Sequence, residues 1–155
     1  MPDTSRATTE SHRDADFTSE SANHAYRPIL FYDGVCGLCN HTIDFVIRRD
    51  RRRVFRFAPL QGETARQLLD SATVRDLNTF VYLDAKRECR RSAAVVRVLW
   101  NLGGIWKMLA ALLWIIPLPL RDLGYRIVSA SRYRLFGKKE VCRIPAPEER
   151  VLFLD

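Results

Sequence analysis

The sequence predicts an α/β domain with the element order β-α-β-α-β-β-α, followed by additional helices. An apolar run, residues 29–32, ends in the turn pair Asp33-Gly34. A Cys-x-x-Cys motif, Cys36 and Cys39, follows where a helical pattern begins. The length of 155 residues, with 47% hydrophobic and 28% charged residues, suits a single domain with its own core. A CxxC motif at a strand-to-helix turn is therefore the feature to explain.

Periodicity and turn residues predict the first seven elements in order. The first strand covers 29–32, and the helix after the motif runs from 36 to about 48. A second strand covers 54–58 and a short helix 63–69, separated by Pro59 and a loop at Gln61-Gly62. A hairpin of strands 79–83 and 87–91 leads into a helix over 93–102, for which Ser92 is the predicted N-cap.

The sequence of the C-terminal part predicts two more helices and a tail. Residues 105–116 are apolar around most of the helix circumference, which is typical of a buried helix. The tryptophans Trp100, Trp106 and Trp114 are predicted to pack in the core. A second, amphipathic helix is predicted over 121–134, and its expected inner face consists of Leu123, Tyr125, Ile127, Val128 and Tyr133.

Composition predicts the domain limits and the location. Residues 1–25 are polar and aperiodic and are expected to be disordered, 26–142 to form the domain, and 143–155 to form an irregular tail. The N-terminus lacks the apolar core of a signal peptide, which favours a cytoplasmic location. The net charge of +7 is attributed to a solvated arginine-rich surface, and no nucleic-acid partner is expected. The apolar stretch 108–120 is shorter than the roughly 20 residues of a spanning helix, so only peripheral membrane contact remains open.

The CxxC motif is typical of thiol-disulfide exchange. Cys36 is expected in the first turn of the helix, where free backbone N–H groups and the helix dipole favour a thiolate. Cys39 lies three residues further on the same face. We therefore predict that Cys36 is an exposed nucleophile and that Cys39 is the buried thiol that resolves the mixed disulfide.

Two other classes of function are open at this point. A zinc site needs about four ligands, commonly as two close pairs, whereas Cys89 and Cys142 are single and His41 has an unusual spacing from Cys39. A non-enzymatic module could instead use the apolar stretch 105–120 to bind a membrane surface or a protein partner. The prediction includes no metal and no cofactor.

Asp33 and Ser92 each have two interpretations. Asp33 either accepts the proton of Cys39 as a general base or caps the helix and shapes the Asp-Gly turn. Ser92 is either a plain N-cap or, by analogy with glutathione transferases, a contact for an anionic substrate at a helix N-terminus.

Four separated segments carry a resemblance to a known family: FYDGVCGLCN, FRFAPLQG, RRSAAVVRVL and IPLPLRDLGYRIVSASRYRLFGKKEVC. Together they resemble the DCC family of predicted thiol-disulfide oxidoreductases, whose D-x-x-C-x-x-C core corresponds here to Asp33, Cys36 and Cys39. The resemblance implies a thioredoxin-like fold and CxxC redox chemistry with a disulfide or thiol substrate and a reductant, both unidentified.

One departure concerns substrate binding. Thioredoxins place a cis-proline before the third strand, facing the cysteines, where it binds the substrate backbone. This chain has Asp76-Leu77-Asn78-Thr79 at that place. Asn78 is therefore included as a possible substrate contact, and recognition of protein substrates in the manner of thioredoxins is not expected.

Overall fold

The computed structural model describes residues 27–137 and 145–155, so the predicted disordered segment 1–25 and Cys142 lie outside it. The described part contains four strands, six α-helices and one 3-10 turn. In chain order they are β1 Ile29–Tyr32, α1 Gly37–Arg49, β2 Arg56–Pro59, α2 Glu63–Leu68, α3 Ser71–Arg75, β3 Val81–Asp84, β4 Arg87–Arg90, α4 Arg91–Leu102, α5 Gly104–Ile115, α6 Leu118–Phe136 and the 3-10 turn Arg150–Leu152.

The four strands form one mixed sheet in the order β2-β1-β3-β4. β1 runs parallel to β2 and antiparallel to β3, and β3 and β4 form an antiparallel hairpin. This arrangement, with helices after the sheet, confirms the predicted α/β thioredoxin-like fold with C-terminal helices. β1 is a central strand of the sheet, and the CxxC motif follows directly after its end.

Alternating side chains of β1 divide the core between the two faces of the sheet. Leu30 and Tyr32 face a cluster that includes Ile43 and Val46 of α1 and Val98 of α4. Phe31 faces the opposite cluster, in which Ala58 and Leu60 pack with Ala65 of α2. Helices therefore cover both faces of the sheet.

The second strand begins later than predicted because Asp50 binds the chain before it. The backbone N–H of Phe55 donates to Asp50 Oδ2 at 2.9 Å instead of joining the sheet. Sheet pairing begins with Arg56, whose N–H donates to Pro28 O at 2.9 Å, and extends to Pro59. The third strand is likewise displaced, from 79–83 to Val81–Asp84.

Two helix starts differ from the prediction. The helix predicted over 93–102 begins at Arg91, and its N-cap residue, Arg90, makes no side-chain capping bond, so the N-cap assignment of Ser92 is wrong. The short helix α3 was not predicted, although Asp70 caps it by accepting from the N–H groups of Ala72 and Thr73. The apolar repeat within residues 71–75 is too short to predict a helix from periodicity.

The prediction that the helix over 105–116 is buried is wrong. Within α5 only Ala110 is buried, while Trp106 and Leu113 are half-buried against α4. Trp100 and Trp114 are exposed, which contradicts their predicted core packing, whereas Trp106 packs edge-on against Phe45 with ring centroids 4.8 Å apart. Among the described residues, no single helix combines the length and apolarity needed to cross a bilayer; α5 and α6 meet that requirement only together, as a pair bent by 112°.

The inner face of α6 also differs from the prediction. Tyr125 and Tyr133 are half-buried as expected, but Leu123, Ile127 and Val128 are exposed. The buried positions of this helix are polar instead, namely Ser129 and Arg132. A pattern based on apolar residues cannot find a face that is buried through polar contacts.

The end of the chain, predicted as an irregular tail, packs onto the sheet. Phe153 pairs with Phe57 of β2 in a parallel bridge, and the N–H of Leu154 donates to Phe57 O at 3.0 Å. Leu152 belongs to the core cluster beneath β1. The domain limits themselves stay a prediction.

We expect Leu152→Ala to lower the free energy of unfolding by about 2–4 kcal/mol, because it removes a buried side chain from the core. The matched variant Leu154→Ala changes a more exposed leucine of the same segment and should cost less than about 1 kcal/mol. Urea denaturation measures both values, and equal costs for the two variants would contradict packing of the tail.

Candidate active site

Cys36 is the N-cap residue of α1, one position before the first turn in which the sequence was expected to place it. Its backbone is extended, with φ −82° and ψ 122°, and its Sγ accepts the N–H of Cys39 at 3.4 Å. The sulfur thus occupies the place of a capping oxygen at the positive end of the helix dipole. A helix N-terminus of this kind is a favourable place for an anion.

The relative exposure of the two cysteines is the reverse of the prediction. Cys36 is fully buried, and Cys39 is partly exposed. The end of α6 lies against the residue next to Cys36, since the N–H of Gly37 donates to Gly137 O at 3.3 Å. A Cβ atom on Gly37 would lie 2.2 Å from the carbonyl oxygen of Phe136, so only glycine permits this approach.

Asp33 is fully buried at the end of β1, and both of its carboxylate oxygens are occupied. Oδ1 accepts the N–H of Val35 at 3.2 Å and the amide of Gln61 at 2.8 Å. Oδ2 accepts the guanidinium of Arg132 at 3.1 Å and the hydroxyl of Tyr133. The bond to Val35 is the predicted turn contact, while the helix cap is provided by Cys36 and not by Asp33.

Arg132 connects Asp33 to the second cysteine. Its side chain is 2% exposed, and it forms an ion pair with Asp33 in which both partners are buried. Nη1 lies 3.8 Å from Cys39 Sγ, while Nη2 also contacts Leu77 O at 2.8 Å and Asn78 Oδ1 at 3.3 Å. Burial alone would lower the pKa of Arg132, but the surrounding negative groups outweigh it and raise that pKa.

Cys39 has a strongly perturbed acidity. Burial, followed by the hydrogen bond and the negative charge of Cys36, raises the pKa of Cys39 to about 12. Arg132 and a backbone hydrogen bond from Asp33 act in the opposite direction. At neutral pH Cys39 is therefore a thiol.

Sequence reasoning missed four residues that complete the site. Gln61 and Asn40 both hold Gly34, since Gln61 Oε1 accepts its N–H at 3.2 Å and Asn40 Nδ2 donates to its carbonyl at 3.0 Å. The other two are Arg132 and Tyr133. Asn40 directly follows the CxxC motif, and Arg132 and Tyr133 lie in one of the segments that resemble the DCC family. These positions in the sequence were the available signal for a role in the site. They do not reveal which atoms the side chains contact.

The remaining candidate residues lie in different surroundings. Asn78 reaches the site through Arg132. The Ser92 hydroxyl donates to Asp122 and accepts from Arg121 Nε at 3.0 Å, and its described contacts include neither cysteine of the motif. The substrate contacts proposed for Asn78 and Ser92 stay predictions. Cys89 lies in β4, half-buried and without a disulfide partner.

Within residues 27–137 and 145–155, no group of three or more His, Cys, Asp or Glu side chains is arranged to hold a metal ion.

Comparison with known proteins gives consistent matches. The family model of DCC1-like thiol-disulfide oxidoreductase matches residues 30–138. The "Uncharacterized protein YuxK" of Bacillus subtilis (strain 168) is 34% identical over 128 residues, covering 81% of this chain and 93% of the relative. The "DCC family protein At1g52590, chloroplastic" of Arabidopsis thaliana is 34% identical over 129 residues, covering 82% of this chain and 75% of the relative. No solved structure matches the chain.

We expect Cys36→Ala to lower the pKa of Cys39 below its wild-type value of about 12, because the variant removes the hydrogen bond and charge of Cys36 and keeps Arg132. The ¹³Cβ chemical shift of Cys39, followed over a pH titration, measures the change without interference from tyrosine ionisation. Both proteins should carry Cys89→Ser and Cys142→Ser so that the motif supplies the only thiols. An unchanged or higher pKa in the variant would contradict this electrostatic account.

Proposed function

Because the chain belongs to the DCC1-like thiol-disulfide oxidoreductase family, we propose that it catalyses thiol-disulfide exchange with Cys36 as nucleophile and Cys39 as resolving thiol. The Cys36 thiolate attacks one sulfur of a substrate disulfide, forming a mixed disulfide and releasing one substrate thiolate. Cys39 then loses its proton and attacks Cys36 Sγ, which releases the second substrate thiolate. The substrate gains two electrons, and its two thiolates take two protons from water, which balance the protons that Cys36 and Cys39 lose to it. Cys36 and Cys39 end as a disulfide.

The observation that carries this proposal is the dependence of Cys39 acidity on Cys36. Two of the three causes that raise the pKa of Cys39 are the hydrogen bond and the negative charge of Cys36. Both disappear when Cys36 becomes part of a mixed disulfide, whereas the Arg132 guanidinium stays 3.8 Å from Cys39 Sγ. Cys39 therefore becomes more acidic at the step in which it has to attack.

Asp33 acts in this proposal by holding Arg132 rather than by taking a proton. Its carboxylate oxygens are used by four hydrogen-bond donors, so it could serve as a base for Cys39 only by giving up one of them. Water that reaches the partly exposed Cys39 accepts the proton instead. Asp33 is a positioning residue under this account.

Access to Cys36 requires movement at the end of α6. The sulfur is buried, and Gly137 O is bonded to the neighbouring N–H of Gly37. This contact is one 3.3 Å hydrogen bond and the close approach of Phe136 O to Gly37, both at a helix end, where opening is least costly. A substrate disulfide gains access to Cys36 when Phe136 and Gly137 withdraw.

The substrate is a disulfide or thiol compound. It is recognised without the cis-proline that thioredoxins place before the third strand. In this chain the loop before β3 binds Arg132 through Leu77 O and Asn78 Oδ1. These two hydrogen bonds hold the loop to Arg132 within the protein. A dithiol or pair of thiols must restore the reduced motif, and the cytoplasmic location stays a prediction.

We expect Cys39→Ser to accumulate a mixed disulfide through Cys36, because the resolving thiol is missing. Incubation with a small symmetric disulfide, followed by mass spectrometry of the intact protein, detects one added half of the probe. Catalysed reduction of the same probe by dithiothreitol should fall by about a hundredfold or more in both Cys36→Ser and Cys39→Ser.

Cys89→Ser is the matched control, since it removes a free thiol outside the motif and should keep wild-type turnover. Wild-type protein without turnover on both a small disulfide and a disulfide-bonded protein would refute the proposal. Adduct formation at Cys89 in place of Cys36 would refute the assignment of the nucleophile.

A further inference from the structure

The outer side of α5 is apolar and uncovered in the part of the chain that the structure describes. Ile105, Met108, Leu112 and Ile115 recur at helical spacing opposite the packed Trp106 and Ala110, and they are 61–74% exposed. Trp114, at 74%, and two leucines at the start of α6, Leu118 and Leu120, are similarly exposed. We call these seven residues the α5 apolar surface: Ile105, Met108, Leu112, Trp114, Ile115, Leu118 and Leu120.

This amount of exposed apolar area is unusual for a soluble domain, which leaves large apolar patches mainly where something binds. The core does not need these side chains, because the opposite side of α5 already packs against α4. The surface therefore requires an occupant outside the described chain.

The charges next to the α5 apolar surface favour an anionic occupant. α5 contains one cation, Lys107, and no acidic residue, and Arg97 and Arg121 line a cavity together with Trp114. The acid of α6, Asp122, accepts the hydroxyl of Ser92. A second copy of the chain is a poor match, because a two-fold contact would bring the same cations together between molecules that each carry +7.

We propose that the α5 apolar surface docks the protein on the surface of an anionic phospholipid bilayer. The 12 residues of α5 span about 18 Å, which is shorter than the roughly 30 Å hydrocarbon core, so the helix lies in the interface and does not cross it. Trp114 is suited to the boundary between headgroups and chains, and the lysine and arginines meet the lipid phosphates.

The proposal does not depend on the redox activity of the CxxC motif. Binding is measured by co-sedimentation with vesicles of phosphatidylcholine alone and of phosphatidylcholine mixed with phosphatidylglycerol. Wild-type protein should bind the anionic vesicles. Binding to the neutral vesicles, or to the anionic vesicles at high salt, should be at least about tenfold weaker.

The decisive variant is Met108→Glu/Leu112→Glu, which places two charges on the α5 apolar surface. It should weaken binding to the anionic vesicles by at least about tenfold. The matched control is Leu68→Glu on α2, an exposed leucine (50%, against 61% for Leu112) outside this surface, and it should bind like wild type. Circular dichroism and the thiol titration of the motif establish that both variants are folded.

Three results would overturn the proposal. The first is wild-type protein that does not sediment with anionic vesicles, or that binds neutral and anionic vesicles equally. The second is a Met108→Glu/Leu112→Glu variant that is folded and binds as tightly as wild type. The third is a wild-type dimer by light scattering that the double substitution converts to a monomer, without any vesicle binding, since a second copy would then be the occupant.

Discussion

The buried ion pair between Asp33 and Arg132 is the interaction on which the site depends. It joins residues 99 positions apart, the end of β1 and the last turns of α6, and both side chains are nearly inaccessible to solvent. A buried pair of this kind adds little stability over an apolar pair, but breaking it is costly because one charge is left uncompensated. The pair therefore acts mainly as a device that specifies where α6 lies.

The position of α6 determines the surroundings of both sulfurs. Arg132 lies beside Cys39, and four residues later the end of the same helix reaches Gly37, next to Cys36. The loop before β3 is held by the same guanidinium through Leu77 and Asn78. One cation thus lowers the pKa of one thiol, and the end of its helix contacts the residue next to the other. The α5 apolar surface lies on α5 and the first turn of α6, and its residues take no part in this network.

Local sequence signals predicted the α/β order and the strand-to-helix position of the motif well. The turn pair Asp33-Gly34 and the capping position of Cys36 depend on near neighbours in the chain, which patterns report. The role of Arg132 could not be predicted, because its partners come from three distant segments. The exposure of α5 was also mispredicted, since an apolar helix suggests a core and periodicity does not say what covers it. Cys36 was expected to be exposed, but it is fully buried, and the residue next to it contacts the distant end of α6.

A double-mutant cycle on Asp33 and Arg132 tests the central claim most directly. Asp33→Asn and Arg132→Met, alone and combined, are compared with wild type by urea denaturation. Each single variant should lose about 3–5 kcal/mol, because each leaves one buried charge without its partner. The combined variant should lose less than the sum, with a coupling energy of about 2–3 kcal/mol. Additive losses, with coupling below about 0.5 kcal/mol, would contradict the account.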